Sequence, residues 1–482
     1  MSLPFLISTE ARDLVKSILK FAKNKRIKLY IVGGYLRDIF LKRERENPDI
    51  DFCLKRGAIN FGSKLAKKLK AGFVVLDKEH GAARLVKRIK DKTYTLDFTD
   101  FRGVDLEEDL LHRDFTINAL CVESADIFRR EKLDTILIDP YRGREDLKSK
   151  VIRMVGKQSF AEDPLRILRA FSFSCLLGFK IDKDTFKSIK TEKNKLSQVS
   201  RERIRDELFK IFDRPDSFDY IRQLDNLRIL KLIFPEFEIM RNVKQGPYHH
   251  LDVWQHTLET LRQLEEAIKE LRKNKNIQEY LDEVISGERR RRALIKLGVL
   301  LHDIGKPRAK RREEGKTKFH GHERIGLEYS ETIAKRLKLS NDEIASLEKM
   351  VLWHLRPGYL ADNEEITRRA QFRYFRDTAE EGVSILLISI ADQRATRGPL
   401  TSVESRIHHE KVVLNLIKTY FKKKQEKKLP RLISGNDLIK KFKLEPSPLI
   451  GKILSEVEEL QAIGRIKTKK EALEVAKKII NG

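Results

Sequence analysis

"IVGGYLRDIFLKRERENPDIDFCL", residues 31–54, starts as an apolar run, turns through two glycines into a helical pattern and ends in an alternating stretch. This predicts a strand, a tight turn, a helix and a second strand. The second strand carries Asp49 and Asp51. Side chains two residues apart on a strand share a face, so these carboxylates converge. Hard divalent cations take oxygen ligands. The chemistry that needs such a pair is two-metal phosphoryl or nucleotidyl transfer. Asp97, in "YTLDFTD" on a candidate neighbouring strand, is the expected third carboxylate. By itself an Asp-x-Asp is common on exposed strands. Gly33 and Gly34 add specificity, because a turn without Cβ atoms lets backbone approach phosphate closely. Arg37 and Asp38 open the helix. Arg37 either binds phosphate or braces the Asp-x-Asp strand, and Asp38 also suits the helix dipole.

The rest of the chain gives this site a setting. Its 482 residues imply several domains. The formal net charge of +27 implies attraction to a polyanion: RNA, DNA or an anionic membrane. The start of the chain lacks the order of a signal peptide, and no apolar run is long enough to span a bilayer. Nucleic acid is therefore the expected partner, with no membrane. Cys53, Cys121 and Cys175 are far apart and form no Cys-x-x-Cys pair. That argues against a disulfide framework and fits a reducing cytoplasm.

Strand-like stretches ("DIDFCL", "GFVVLD", "ARLVKRI", "YTLDFTDF") are confined to the first third. After "SFAEDPLRILRAFSF" the apolar spacing turns helical and strands are essentially absent. The fold class expected is α+β: a mixed α/β head over 1–153, a helical connector over 154–215, a larger helical domain over 216–425 and a C-terminal helical unit over 426–482. The Lys-rich "YFKKKQEKKLPRL" reads as a linker or helix end.

"VGGYLRD…DIDF" resembles the signature of the polymerase-beta-type nucleotidyltransferases. Within them it is similar to the bacterial-type tRNA nucleotidyltransferases, the CCA-adding enzymes and their relatives. Three further blocks carry the likeness: "LEEDLLHRDFTINAL" (106–120), "EDPLRILRAFSF" (162–173) and "SRERIRDELFKIF" (200–212). The resemblance implies that Arg113, Asp114 and Asn118 meet the ribose and triphosphate of the incoming nucleotide. It implies that Asp163, Arg166 and Arg169 belong to the base-selection block. It also implies Mg2+ as the metal of Asp49 and Asp51, and the acceptor and T arm of tRNA with its 3′ end as the partner. His112 and Ser172 depart from the family pattern, which commonly has arginine at both places.

Asp163 and Arg166 also have a physical reading. Three apart on a helix, they share a face. Arginine offers only donors and ionised aspartate only acceptors. Cytosine and adenine each pair an amino donor with a ring-nitrogen acceptor and so suit the two; uracil and guanine do not. CTP and ATP are thus the nucleotides such a pair would choose without a template.

"DFTDFRG" runs almost directly into "VDLEEDLLHRD". In relatives that add the whole CCA, this region usually carries a longer loop, thought to switch the pocket from C to A. The short connection therefore implies an enzyme that stops at CC, with a separate A-adding enzyme acting after it. A full CCA-adding enzyme that handles the switch elsewhere is the alternative.

The helical region holds "YHHLDVWQHTLETL", "LGVLLHDIGKP", "KFHGHERIG", "LWHLRPGYL" and "ISIADQRATRG". His256, His302, Asp303 and Asp392 match the ligand order of the HD phosphohydrolase superfamily. His322 and His354 fall where many members hold a second metal. Imidazoles mixed with carboxylates suit Ni, Mn, Fe or Mg, and a metal-bound water there would attack a phosphoester. Competing readings are an HD hydrolase whose front domain only grips RNA, a non-catalytic RNA-binding protein and a poly(A) polymerase. The intact carboxylates oppose the first two. The missing insertion opposes the third.

Overall fold

The structure, a computed structural model, describes residues 9–43, 47–128, 133–363, 365–426 and 430–481. Residues 1–8, the beginning of the stretch in which no signal peptide is expected, and 427–429 of the Lys-rich stretch lie outside them. The chain divides into two compact units, Met1–Glu207 and Leu208–Gly482.

The first unit is built on a seven-stranded sheet. Its elements run α1 (Thr9–Asn24), β1 (Tyr30–Val32), α2 (Gly34–Phe40), β2 (Asp49–Leu54), α3 (Ala58–Leu69), β3 (Gly72–Asp77), β4 (Ala82–Ile89), β5 (Lys92–Asp100), α4 (Leu106–Leu111), β6 (Cys121–Glu123), α5 (Leu133–Ile136) and β7 (Leu137–Ile138). The strand order is β3-β4-β5-β2-β1-β6-β7. β2 and β5 are parallel, and the other pairs are antiparallel. On one face Phe52 and Phe98 stack at 4.9 Å, and Phe61 of α3 tilts against Phe98. Burial of these rings fixes which face is core, so the alternating carboxylates must take the other. A parallel pair, Val151–Ile152 with Lys180–Ile181, and further helices, among them Arg166–Leu177 and Lys183–Glu192, complete the unit; the strand Lys180–Ile181 falls where strands were not expected.

The second unit is a helical body. Helix Gly382–Ala395 is buried through most of its length and packs against Val253–Glu270 and Val403–Gln425. The last helices close a small core of their own around Leu438, Ile453, Val457 and Ala472. Strands were not expected here, yet short hairpins occur at Val284–Ser286 with Arg289–Arg290 and at Arg311–Glu313 with Lys316–Lys318. The second turns through Glu314 and Gly315, both at positive φ. That is the geometry of a two-residue hairpin turn. Among the described residues, no helix is long and apolar enough to cross a membrane.

Candidate active and metal sites

Parallel pairing of β2 and β5 sets Asp51 directly beside Asp97, with Asp49 one step along the same face. Ligand atoms of Asp49, Asp51 and Asp97 lie within 4.8 Å of one another. Three carboxylates in that space form an all-oxygen donor set, which fits hard divalent ions. A residue not singled out from the sequence joins them. Arg84 of β4 faces Asp97 across the antiparallel ladder and donates to both its oxygens, Nε–Oδ1 at 2.8 Å and Nη2–Oδ2 at 2.7 Å. No local pattern marks it: Ile89 pairs with Lys92, and only from that register does counting back set 84 opposite 97.

Gly33 has φ +79°, and a Cβ there would stand 3.0 Å from Arg113 Nη1 and 3.2 Å from Asp51 Oδ2. The glycine turn thus sits between the carboxylates and Arg113. Arg37 is 1% exposed. Its Nε and Nη2 donate to Asp38 at 3.0 and 2.9 Å, and its Nη1 donates to Asn118 at 2.7 Å. Of the two roles open to Arg37, this geometry is a brace. Asn118 donates onward to Asp114 at 3.0 Å, and Asp114 accepts from Arg169 at 3.0 and 2.8 Å. Arg37 and Arg169 each lie over the Phe173 ring, at 5.0 and 5.1 Å. Burial alone would raise the Asp114 carboxyl. Arg169 and Asn118 outweigh it and hold it below the usual range. Ser172, the departure from the family pattern, donates to buried Glu207 at 2.5 Å.

Asp163 and Arg166 are not on one helical face. Asp163 is extended (φ −146°, ψ 97°) between Ser159–Glu162 and Arg166–Leu177. It precedes Pro164, and a residue before proline is driven out of the helical region. Asp163 Oδ2 accepts from Arg203 at 2.8 Å. The Arg166 guanidinium is turned inward onto the carbonyls of His112 and Ser159 and the carboxylate of Glu162. His112, the other departure, meets Glu162 through Nδ1 at 3.0 Å.

The connection 101–105 between β5 and α4 is tied down at both ends. Asp105 caps α4 by accepting from the Glu108 amide, the Val104 amide donates to Glu108 at 2.7 Å, and the Arg102 amide donates to Asp109 at 3.1 Å.

The helical body gathers its six histidine and aspartate candidates into two groups. His256, His302 and Asp392 form one, and Asp303, His322 and His354 the other, with ligand atoms within 4.8 Å in each. His302 Nε2 lies 3.2 Å from Asp303, and His322 Nε2 lies 3.3 Å from it, so the groups adjoin. His302, His322 and His354 each direct Nδ1 at a carbonyl three residues back, Val299, Phe319 and Val351, at 2.7–2.8 Å. That bond fixes the tautomer and leaves Nε2 as a lone-pair donor facing the cluster. His302 Nε2 is buried without a hydrogen bond, as a metal ligand without its ion would be. The donor set therefore fits a divalent transition metal. Gly305 makes the junction possible, since a Cβ there would meet the His322 carbonyl oxygen at 2.0 Å. Burial pushes His354 down to about 3, with His322 and His302 adding to it. Burial also opposes ionisation of Asp303, but His302, when protonated, and Lys306 outweigh it and hold its pKa well below the usual range. Lys306 lies 2.6 Å from Asp303 and donates to Gln245 at 2.7 Å. The sequence reading did not single out Lys306, although it sits in the same "HDIGK" run.

Four families match the chain: the Poly A polymerase head domain over residues 29–153, the "Probable RNA and SrmB- binding site of polymerase A" over 178–240, the HD domain over 253–394 and the tRNA nucleotidyltransferase domain 2 over 324–476. The chain is 31% identical to the A-adding tRNA nucleotidyltransferase of Deinococcus radiodurans, covering 76% of this chain and 78% of that one. It is 27% identical to the CC-adding tRNA nucleotidyltransferase of Thermus thermophilus, covering 92% and 91%. The Thermotoga maritima CCA-adding enzyme complexed with tRNA shares the fold, with a TM-score of 0.62 and 22% identity over 99% of this chain and 97% of that one. With the nucleotidyltransferase head, the carboxylate triad and these relatives in agreement, the chain belongs to the tRNA nucleotidyltransferase family.

Proposed function

We propose that this protein adds CMP from CTP to the 3′ end of tRNA and stops at CC. A nucleotidyltransferase needs a carboxylate triad beside a phosphate-approachable turn, and Asp49, Asp51, Asp97 and Gly33 supply one. Mg2+ fits the all-oxygen triad; when bound there it lowers the pKa of the attacking hydroxyl and neutralises triphosphate charge. The 3′ oxygen attacks the α-phosphorus, the bond to the β-phosphate breaks and pyrophosphate leaves with the hydroxyl proton passing to solvent. Gly33 and Gly34 offer backbone to the triphosphate, and Arg113 adds charge to it. Asp114, held ionised by Arg169, offers an acceptor to the ribose. Asp163, Arg166 and Arg169 line the base side. For Arg166 this requires its guanidinium to leave the carbonyls it now meets.

The observation that carries the CC reading is the short, doubly tied connection 101–105. A pocket that must change its preference from C to A needs a lever that moves, and this segment is pinned by Asp105, Glu108 and Asp109. The likeness to an A-adding relative favours a second reading, in which the protein adds only the final A. One experiment separates them: tRNA lacking CCA and tRNA ending in CC are each incubated with Mg2+ and with CTP, ATP or both. Growth to CC and no growth of the CC-ended tRNA is expected. Addition of A to the CC-ended tRNA sinks the CC reading, and no extension of either sinks the transferase reading.

A second, metal-dependent phosphohydrolase activity is proposed for the HD cluster, with Ni, Mn, Fe or Mg as the ion. Its support is the convergence of three tautomer-fixed histidines on Asp303. Asp303→Ala should lower hydrolysis of p-nitrophenyl phosphate or 2′,3′-cyclic AMP by at least about a hundredfold, assayed with each ion in turn. Wild-type protein inert with every ion overturns it.

A further inference from the structure

The catalytic face of the head sheet is closed on one flank and open on the other. Toward β1 and β6 it is roofed: Cys53, Val32 and Cys121 are buried under Phe101, Leu110 and Ala119. The glycine turn and Arg113 lie on that flank. Toward the other edge the face continues past Asp97 to Arg84 and Val86 of β4 and then to Val74 of β3. Register sets Arg84 opposite both Asp97 and Val74. Leu76 follows at a β-bulge in the edge strand. This flank is apolar yet open: Val74, Leu76 and Val86 are 55%, 48% and 40% exposed. Large apolar side chains grouped on an edge strand invite pairing with another chain and are normally blunted. Here they adjoin the active site.

In-line transfer fixes what must occupy this flank. Attacking and leaving oxygens lie on opposite sides of the phosphorus. With the triphosphate on the glycine side, the acceptor's 3′ hydroxyl has to arrive over β5 and β4. We propose that the flank formed by Val74, Leu76, Val86 and Arg84 seats the unpaired 3′-terminal nucleotides of the RNA acceptor, the last base lying on the apolar shelf and its phosphate beside Arg84. Single-stranded RNA is held in this way, with bases against apolar or aromatic surface and phosphates against arginine. Arg84 spends two nitrogens on Asp97, but its side chain is still 40% exposed. It thereby links the position of the acceptor phosphate to the third carboxylate. The site rests on the transferase reading and says which flank the acceptor crosses.

The test uses the full chain and a tRNA lacking CCA whose last nucleotide is replaced by photoreactive 4-thiouridine. Irradiation without nucleotide should give crosslinks within residues 72–88, and Val74→Glu with Leu76→Glu should lower their yield about tenfold. In steady-state extension the same double variant should raise KM for tRNA about tenfold and change KM for CTP less than about twofold. Crosslinks confined to other segments, or an unchanged KM for tRNA, overturn the proposal. So does a wild-type dimer that the substitutions split while KM for tRNA stays constant, because the shelf would then be a contact between copies. Crosslinking needs no turnover, so wild-type protein that crosslinks at 72–88 but never extends tRNA refutes the transferase reading and leaves the seat standing.

Discussion

Asp51→Asn should lower nucleotide addition by roughly a thousandfold, the scale of losing one preorganised charged partner at a reaction centre. The substitution keeps the side chain's shape and removes its charge. Asp51 sits between Asp49 on its own strand and Asp97 on the parallel neighbour, so it is the carboxylate adjacent to both of the others. Thermal unfolding distinguishes this from damage to the fold. Three carboxylates within 4.8 Å repel one another when no cation lies between them. The metal-free variant should therefore unfold at the wild-type temperature or above it. Extension at the wild-type rate in Mg2+ would remove Asp51 from the reaction.

Arg37→Met should cost about 3–5 kcal/mol of stability, the range seen when one partner of a buried ion pair is removed. The cost arises because Asp38, 5% exposed, keeps its charge and loses its fork of donors, while Asn118 loses a third. Phe173 also loses one of the two guanidinium groups that cover its ring. Arg37→Lys should recover only part of this, since an ammonium cannot reproduce the two-pronged geometry. Urea unfolding of the three proteins supplies the measurement. A variant of unchanged stability whose KM for CTP rises would make Arg37 a phosphate ligand instead of a brace.

The two roles left open for Arg37 show how far a linear reading reaches. Strand periodicity puts Asp49 and Asp51 on one face, because a two-residue repeat is local. The glycine pair is legible for the same reason: its backbone freedom acts where it stands. "HDIGK" ends an apolar helix, and that too can be read along the chain. What escaped depends on partners distant in sequence. Arg84 joins the triad only through the β4–β5 register, and Arg37 chooses its role only once Asn118, 81 residues on, accepts its third donor. The separation of Asp163 from Arg166 escaped for a local reason. A three-residue spacing shares a face only in continuous helix, and Pro164 breaks the helix between the two.

By itself, then, the sequence determined the chemistry: carboxylates on one strand face, a turn open to phosphate, and histidines at helix ends with an aspartate beside them. Each is a property of a few neighbouring residues and of the backbone's two short periods. Only the tertiary structure decided the assembly. It paired β2 with β5 so that Asp97 meets Asp51, turned Arg166 inward, tied down 101–105 and brought His322 and His354 to Asp303. The physical reason is that ions and hydrogen bonds act over a few ångströms of space. That proximity is set by which apolar faces can bury together, not by spacing along the chain.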